Sequence, residues 1–158
     1  MKKKTAVLGF GNPVRSDDGV GVYVAEQLRE HCADAPDVSV FDMGTAAFET
    51  LFQLRGHQRI IIVDALVNSG EPVGTLYKVP ADEIASAPQE DPLVFLHGMK
   101  WDQALSYAKK IMRNDYPDDI TVYLIAIENT ALDVSMSPIV KDAANQVIEK
   151  IIDELWVR

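Results

Sequence analysis

The sequence has a single cysteine, no long apolar run and far fewer basic than acidic residues, and each shortage excludes a class of protein. Cys32 alone cannot form an internal disulfide, which fits a reducing compartment. No stretch approaches the roughly 20 apolar residues that span a bilayer. The 15 Lys and Arg against 24 Asp and Glu give a net charge of −9, which argues against non-specific nucleic-acid binding.

The chain begins MKKKTAVLGFGNP, lysines followed by apolar residues, as secretory signals do. The apolar run is only about six residues long before Gly-Asn-Pro ends it, which is shorter than the apolar core of a signal. We therefore expect a cytoplasmic protein that binds neither membranes nor nucleic acid. The 158 residues, 47% of them hydrophobic, suit one domain over 1–158, without linker or repeat.

Short apolar segments alternate along the chain with segments of helical periodicity. Strands are predicted where the segments are apolar or alternating, at 5–10, 38–42, 59–67, 74–79 and 120–127, the fourth at a sheet edge. Helices are predicted where apolar residues recur every three or four positions, at 18–32, 45–54, 101–113 and 138–156.

This alternation predicts an α/β fold: a three-layer α/β/α sandwich on a mostly parallel, twisted sheet of about five strands with one antiparallel edge strand. Ser16 or Asp17 is the expected N-cap of the first helix. Residues 80–96 contain three prolines and several acids and are expected to form a long surface loop.

Ligand sites of such sheets lie beyond the carboxyl ends of the strands, where the connections reverse direction. Polar residues that follow the predicted strands, or precede the helix at 101, are Asn12, Asp17, Asp18, Asp42, Asp64, His97, Glu128 and Asn129. Several have a purely structural alternative: the first two aspartates can stabilise a helix N-terminus, Asp42 can form a turn, and His97 can be a structural histidine.

Asp64 is harder to explain structurally, because it lies in IIIVDALV, the least polar stretch of the chain. An unpaired charge there costs on the order of several kcal/mol or shifts its pKa, and no Lys or Arg is near in sequence. A divalent ion would compensate the charge, with Asp18 and His97 completing the ligand set. Two carboxylates and an imidazole suit zinc, nickel or a similar ion and leave positions open for water or substrate.

The first loop, GFGNPVRSDDGVG, also invites a dinucleotide-binding interpretation, because two glycines lie between a strand and a helix and Asp42 ends the next strand. Val14, however, stands where the third glycine belongs. Asp17 and Asp18 would repel a pyrophosphate at the helix N-terminus by about 1 kcal/mol or more. The loop is therefore expected to attract a cation, and a nucleotide-binding oxidoreductase is the less favoured alternative.

Several stretches resemble, in order, the hydrogenase maturation endopeptidases: VLGFGNPVRSDDGVGV, FDMGTAAFETL, IIIVDALV with EPVGTLY, and LHGMKWDQAL. The similarity covers about residues 5–155. Members of that family remove a C-terminal peptide from the precursor of a [NiFe] hydrogenase large subunit after nickel insertion. The resemblance implies an α/β/α sandwich and an endopeptidase with that precursor as partner, while aspartic-type and metal-dependent chemistry both stay open.

The resemblance also implies functional residues. The metal-contacting and catalytic positions are Asp18, Asp64 and His97, and the metal is nickel carried by the substrate or another divalent ion such as zinc. Residues expected to line the substrate cleft are Asn12, Asp42, Gly44 and Thr45.

The chain departs from the family pattern near its C-terminus, where AIENTALDVSMSP has Ala126, Asn129 and Val134 at the places where Gly, Pro and Gly are expected. The departure leaves the metal site intact and bears on which precursor is recognised. A second hypothesis, a chaperone or binding module for an immature nickel protein, would keep the cleft but leave the precursor uncut.

Overall fold

The computed structural model describes residues 4–46, 49–85 and 100–156. Five strands form one sheet: β1 (Thr5–Phe10), β2 (Val38–Gly44), β3 (Arg59–Val67), β4 (Leu76–Pro80) and β5 (Asp119–Ile127). Their order is β2-β1-β3-β5-β4. Strands β2, β1, β3 and β5 run parallel to one another, and β4 pairs antiparallel with β5 at the edge. The predicted mixed sheet is confirmed.

Helices cover both faces of the sheet. They are α1 (Val20–His31), α2 (Thr50–Leu54), α3 (Ala81–Ala85), α4 (Lys100–Met112) and α5 (Pro138–Trp156). The apolar stripes of α1 and α5 pack on one face, and those of α2, α3 and α4 pack on the other. The three-layer sandwich is therefore confirmed. None of the described helices combines the length and apolarity that crossing a bilayer requires.

The centre of the sheet is the place where the connections reverse direction. β1 and β3 are neighbours, yet the chain leaves β1 towards β2 on one side and leaves β3 towards β5 and β4 on the other. Pairing between β1 and β3 ends at Gly9 and Val63, whereas β3 continues beside β5 to Val67. Asp64 therefore lies just where β1 stops, at the position that sheets of this type use for ligands.

Two glycines allow the first loop and helix to lie close to this position. A Cβ on Gly21 would lie 2.6 Å from the carbonyl oxygen of Val63 and would overlap that of Phe10. A Cβ on Gly11 would overlap the backbone carbonyl of Asp18. Close helix–strand packing accounts for these two glycines without a bound phosphate.

Most predicted boundaries differ from the observed ones by at most two residues, but two are wrong by more. The helix predicted from residue 45 begins at Thr50, because Gly44 has φ 53° and the Ala46 N–H donates to the Met43 carbonyl at 2.9 Å, which makes a turn. The predicted loop 80–96 starts with β4's last residue and α3, and its remainder, 86–96, lies outside the described residues.

Candidate active site

Asp64 is held by two neutral hydrogen-bond donors. One carboxylate oxygen accepts the backbone N–H of Ala65 at 2.8 Å, and the other accepts the indole N–H of Trp101 at 2.9 Å. Trp101 is buried in the first turn of α4. No salt bridge within the described ranges involves Asp64. The carboxylate is thus oriented by the fold but has no cationic partner in that part of the chain.

Burial raises the pKa of Asp64 to about 7. The hydrogen bonds from Trp101 and Ala65 oppose the shift, and the negative charge of Asp18 adds to it. At neutral pH the group is therefore divided between its protonated and ionised forms. A nearby divalent cation would favour the ionised form, because opposite charge lowers the pKa of an acid.

Asp18 approaches Asp64 from the loop that follows β1. It lies in a 3₁₀ helix, Ser16–Gly19, immediately before α1, and is partly buried. Burial raises its pKa, while the backbone N–H of Asn12 and the charge of Arg15 oppose the rise. The 3₁₀ helix packs against β3, and the negative charge of Asp18 raises the pKa of Asp64, so two of the three residues predicted to contact a metal lie in neighbouring elements.

The third predicted residue, His97, lies outside the described residues and precedes Trp101 by four positions in the sequence. In the part of the chain that the structure covers, no group of three or more His, Cys, Asp or Glu could hold a metal ion. Two carboxylates are oxygen donors that suit a divalent ion, but they fill only part of a coordination shell. A metal ion at these two carboxylates would need further ligands, for example water, His97 or groups of a substrate.

The four predicted cleft residues lie at the carboxyl ends of β1 and β2. The side-chain oxygen of Asn12 accepts the backbone N–H two residues further along the chain at 3.2 Å. A carboxylate oxygen of Asp42 accepts the Gly44 N–H at 3.0 Å. The Gly44 carbonyl accepts the Gly11 N–H at 2.9 Å, which joins the two loops. Asp42 and Thr45 are exposed. Their contact with a substrate stays a prediction, and the turn-forming role of Asp42 is observed.

Asp17 and Ser16 do not cap α1, which corrects the prediction. Asp17 is buried, and its two oxygens accept the N–H and the hydroxyl of Ser137, at 2.7 and 2.8 Å. The Ser16 hydroxyl donates to the Ala131 carbonyl at 2.7 Å. Both side chains therefore tie the loop that carries Asp18 to the loop after β5.

Sequence reasoning missed Trp101 and Ser137 as partners of the site. A signal existed for Trp101, since a buried indole N–H usually has a hydrogen-bond acceptor and Asp64 lacked a donor. No comparable signal existed for Ser137, which is 120 residues from Asp17 and becomes its neighbour only through the sheet.

Replacing Asp17 by Ala is expected to lower the free energy of unfolding by about 1–3 kcal/mol, because two partly buried donors of Ser137 lose their acceptor. Urea denaturation followed by circular dichroism measures the change. Asp34→Ala removes an exposed carboxylate and serves as control, with a change within about 0.5 kcal/mol. Equal stabilities of the two variants would contradict the role given to Asp17.

Comparison with known proteins relates the chain to one family. Residues 22–154, which include Asp64 and His97, match the family model HycI, described as hydrogenase maturation protease. The hydrogenase expression/formation protein HupD of Thiocapsa roseopersicina is 30% identical over 152 residues. That match covers 94% of this chain and 66% of HupD, so the chain spans about two thirds of that relative's length.

Solved structures agree with the fold. The hydrogenase maturating endopeptidase HybD from E. coli has a TM-score of 0.80 at 23% identity, covering 96% of this chain and 91% of HybD. The [NiFe] hydrogenase maturation protease HycI from Thermococcus kodakarensis KOD1 has a TM-score of 0.75 at 26% identity, with coverages of 99% and 94%. The resemblance seen in the sequence is thereby confirmed: the chain belongs to the hydrogenase maturation protease family, whose members are endopeptidase hydrolases.

Proposed function

We propose that this protein removes the C-terminal extension of a [NiFe] hydrogenase large-subunit precursor after nickel has been inserted. The observation that carries the proposal is the position of Asp64, an acid without a salt-bridge partner among the described residues, at the end of β1, where β3 continues alone beside β5. The negative charge of Asp18 acts on Asp64 from the 3₁₀ helix that packs against β3, and a positively charged ligand would relieve this repulsion. Family membership supplies the reaction class, the hydrolysis of a peptide bond.

Nickel enters this scheme as part of the substrate. Asp18 and Asp64 would contact the ion that the precursor holds, and His97 would supply the third contact. A precursor without nickel would bring no positive charge to the two carboxylates. Their mutual repulsion would then stay uncompensated in the complex, which makes docking less favourable. Zinc or another divalent ion would satisfy the same oxygen donors in the free protein.

The hydrogen bonds of Asp64 define what the chain itself contributes. Trp101 and the Ala65 N–H fix both carboxylate oxygens, so the carboxyl group has one orientation towards a substrate. Its pKa is about 7 in the free protein, and the positive charge of the ion would lower that pKa and keep the carboxylate ionised in the complex. The bound ion supplies positive charge beside the scissile peptide. We expect the reaction to take place in the cytoplasm.

The test uses the nickel-loaded precursor encoded in the same genome. Incubation with the protein is expected to shorten it by the mass of the C-terminal extension, measured by intact-protein mass spectrometry. The same precursor without nickel is the matched control and is expected to keep its full mass. Equal cleavage of both forms would contradict recognition of nickel.

The second candidate, a binding module for the immature protein, predicts another outcome of the same experiment. The precursor would form a complex with the protein and keep its full mass, with nickel or without it. That outcome would overturn the endopeptidase proposal.

A further inference from the structure

Three exposed apolar side chains lie in the loop that carries Asp18 and in the loop bonded to it. The large apolar side chains that are highly exposed in the described residues are Val14, Phe52, Tyr107, Ile111, Leu132, Val134, Ile139 and Trp156. Val14 follows β1, Leu132 and Val134 follow β5, and their exposed fractions are 50%, 75% and 81%. We refer to these three residues as the apolar rim. Single exposed apolar residues are ordinary, but a group of them next to a site indicates an interaction surface.

Backbone hydrogen bonds hold the apolar rim together. Asp133, between the two rim residues of its loop, donates its N–H to the Val14 carbonyl at 3.0 Å and accepts the Ser16 N–H at 2.8 Å. Asp17 and Ser137 join the same two loops a few residues further on. The loops are therefore anchored to each other, and yet the aliphatic side chains of the rim point into solvent. Covering them would gain hydrophobic free energy at little conformational cost.

The charge around the rim restricts what can cover it. The segments at this end of the sheet, 11–18, 42–46, 68–74 and 128–137, contain one basic residue, Arg15. Their acidic residues are Asp17, Asp18, Asp42, Glu71, Glu128 and Asp133. An acidic segment would be repelled by this charge, a basic one would be attracted, and an uncharged apolar one would be neither.

The rim continues directly into the loop of the candidate active site, since Val14 precedes Asp18 by four residues. We propose that the apolar rim binds the C-terminal extension of the precursor through its aliphatic side chains, while the bond to be cut lies at Asp18 and Asp64. This inference rests on the proposed function and adds a binding surface to it.

The test measures binding of the nickel-loaded precursor by isothermal titration calorimetry, in an Asp64→Asn background so that the ligand is not consumed. Replacing Leu132 and Val134 together by Ser is expected to raise the dissociation constant about 10- to 100-fold. Ile111→Ser is the matched control, because Ile111 is 69% exposed but lies on α4. It is expected to leave the dissociation constant unchanged.

A second ligand identifies the segment that the rim binds. The mature subunit, which lacks the extension, is expected to bind with an affinity that the rim substitutions do not change. Equal weakening of precursor and mature subunit, an unchanged precursor affinity, or an equal loss in the Ile111 variant would each overturn the inference.

Cleavage by the protein with Asp64 intact separates this inference from the proposed function. Rim-dependent binding of the extension without any cleavage would refute the endopeptidase and leave the rim assignment in place. If the rim substitutions leave kcat/KM for cleavage unchanged, the rim assignment is refuted and the endopeptidase proposal stands. If the protein with Asp64 intact neither binds nor cleaves the precursor, both are refuted.

Discussion

Asp64→Asn is expected to lower kcat/KM for precursor cleavage at least about a thousandfold in a protein that stays folded. The substitution removes one of two carboxylates proposed to contact the metal and the only one whose orientation is set by Trp101 and the Ala65 N–H. Loss of charge stabilisation worth several kcal/mol corresponds to a factor of that size. Mass spectrometry of the nickel-loaded precursor over time measures it.

The fold should survive because the asparagine side chain has nearly the same volume and keeps one oxygen for the indole N–H. The lost acceptor for Ala65 costs about 1 kcal/mol, and removing a buried charge offsets part of it. Thermal unfolding therefore serves as the internal check. Asp118→Asn, an exposed neutralisation away from the site, is the matched control with unchanged activity. Wild-type cleavage by the Asp64 variant would exclude Asp64 from the chemistry.

The second large effect on kcat/KM is expected at Asp18. One substitution there removes the charge, and another keeps the charge but changes the length of the side chain. Asp18→Asn is expected to reduce kcat/KM about 100-fold or more, because the neutral amide binds a divalent ion far more weakly than a carboxylate does. Asp18→Glu keeps the charge and is expected to retain activity within about tenfold.

The same mass-spectrometric assay ranks the three proteins. The expected order is wild type, then the Glu variant, then the Asn variant, with similar unfolding temperatures for all three because Asp18 is only partly buried. Loss of activity in both variants alike would show that shape, and not charge, matters at this position. Full activity of the Asn variant would remove Asp18 from the proposed metal contact.

Much of the architecture was predictable because it depends on local hydrophobic patterns. β3 and α5 occupy the predicted residues 59–67 and 138–156, since a continuous apolar run and a clean helical stripe leave few alternatives. The predicted start of the second helix at residue 45 was wrong because Gly44, with a positive φ, begins a turn that hydrophobic periodicity does not reveal. Boundaries of this kind depend on single backbone angles.

The candidate site was predictable to a different degree for each residue. Asp64 could be selected from its apolar surroundings alone, and Asp18 from its place after the first strand at the reversal of connections. The alternative roles of Asp17 could not be separated in the same way. Its neighbours in sequence allow helix capping, and only Ser137, 120 residues away, reveals that it joins two loops.

By itself, the sequence determined the order of strands and helices, the buried acid in β3 and the family, because hydrophobic periodicity and motif order are local properties of the chain. Only the tertiary structure decided which distant groups meet: Trp101 with Asp64, Asp17 with Ser137, and Val14 with the loop after β5. These contacts depend on how parallel strands align and how closely α1 packs against them, which no local pattern specifies.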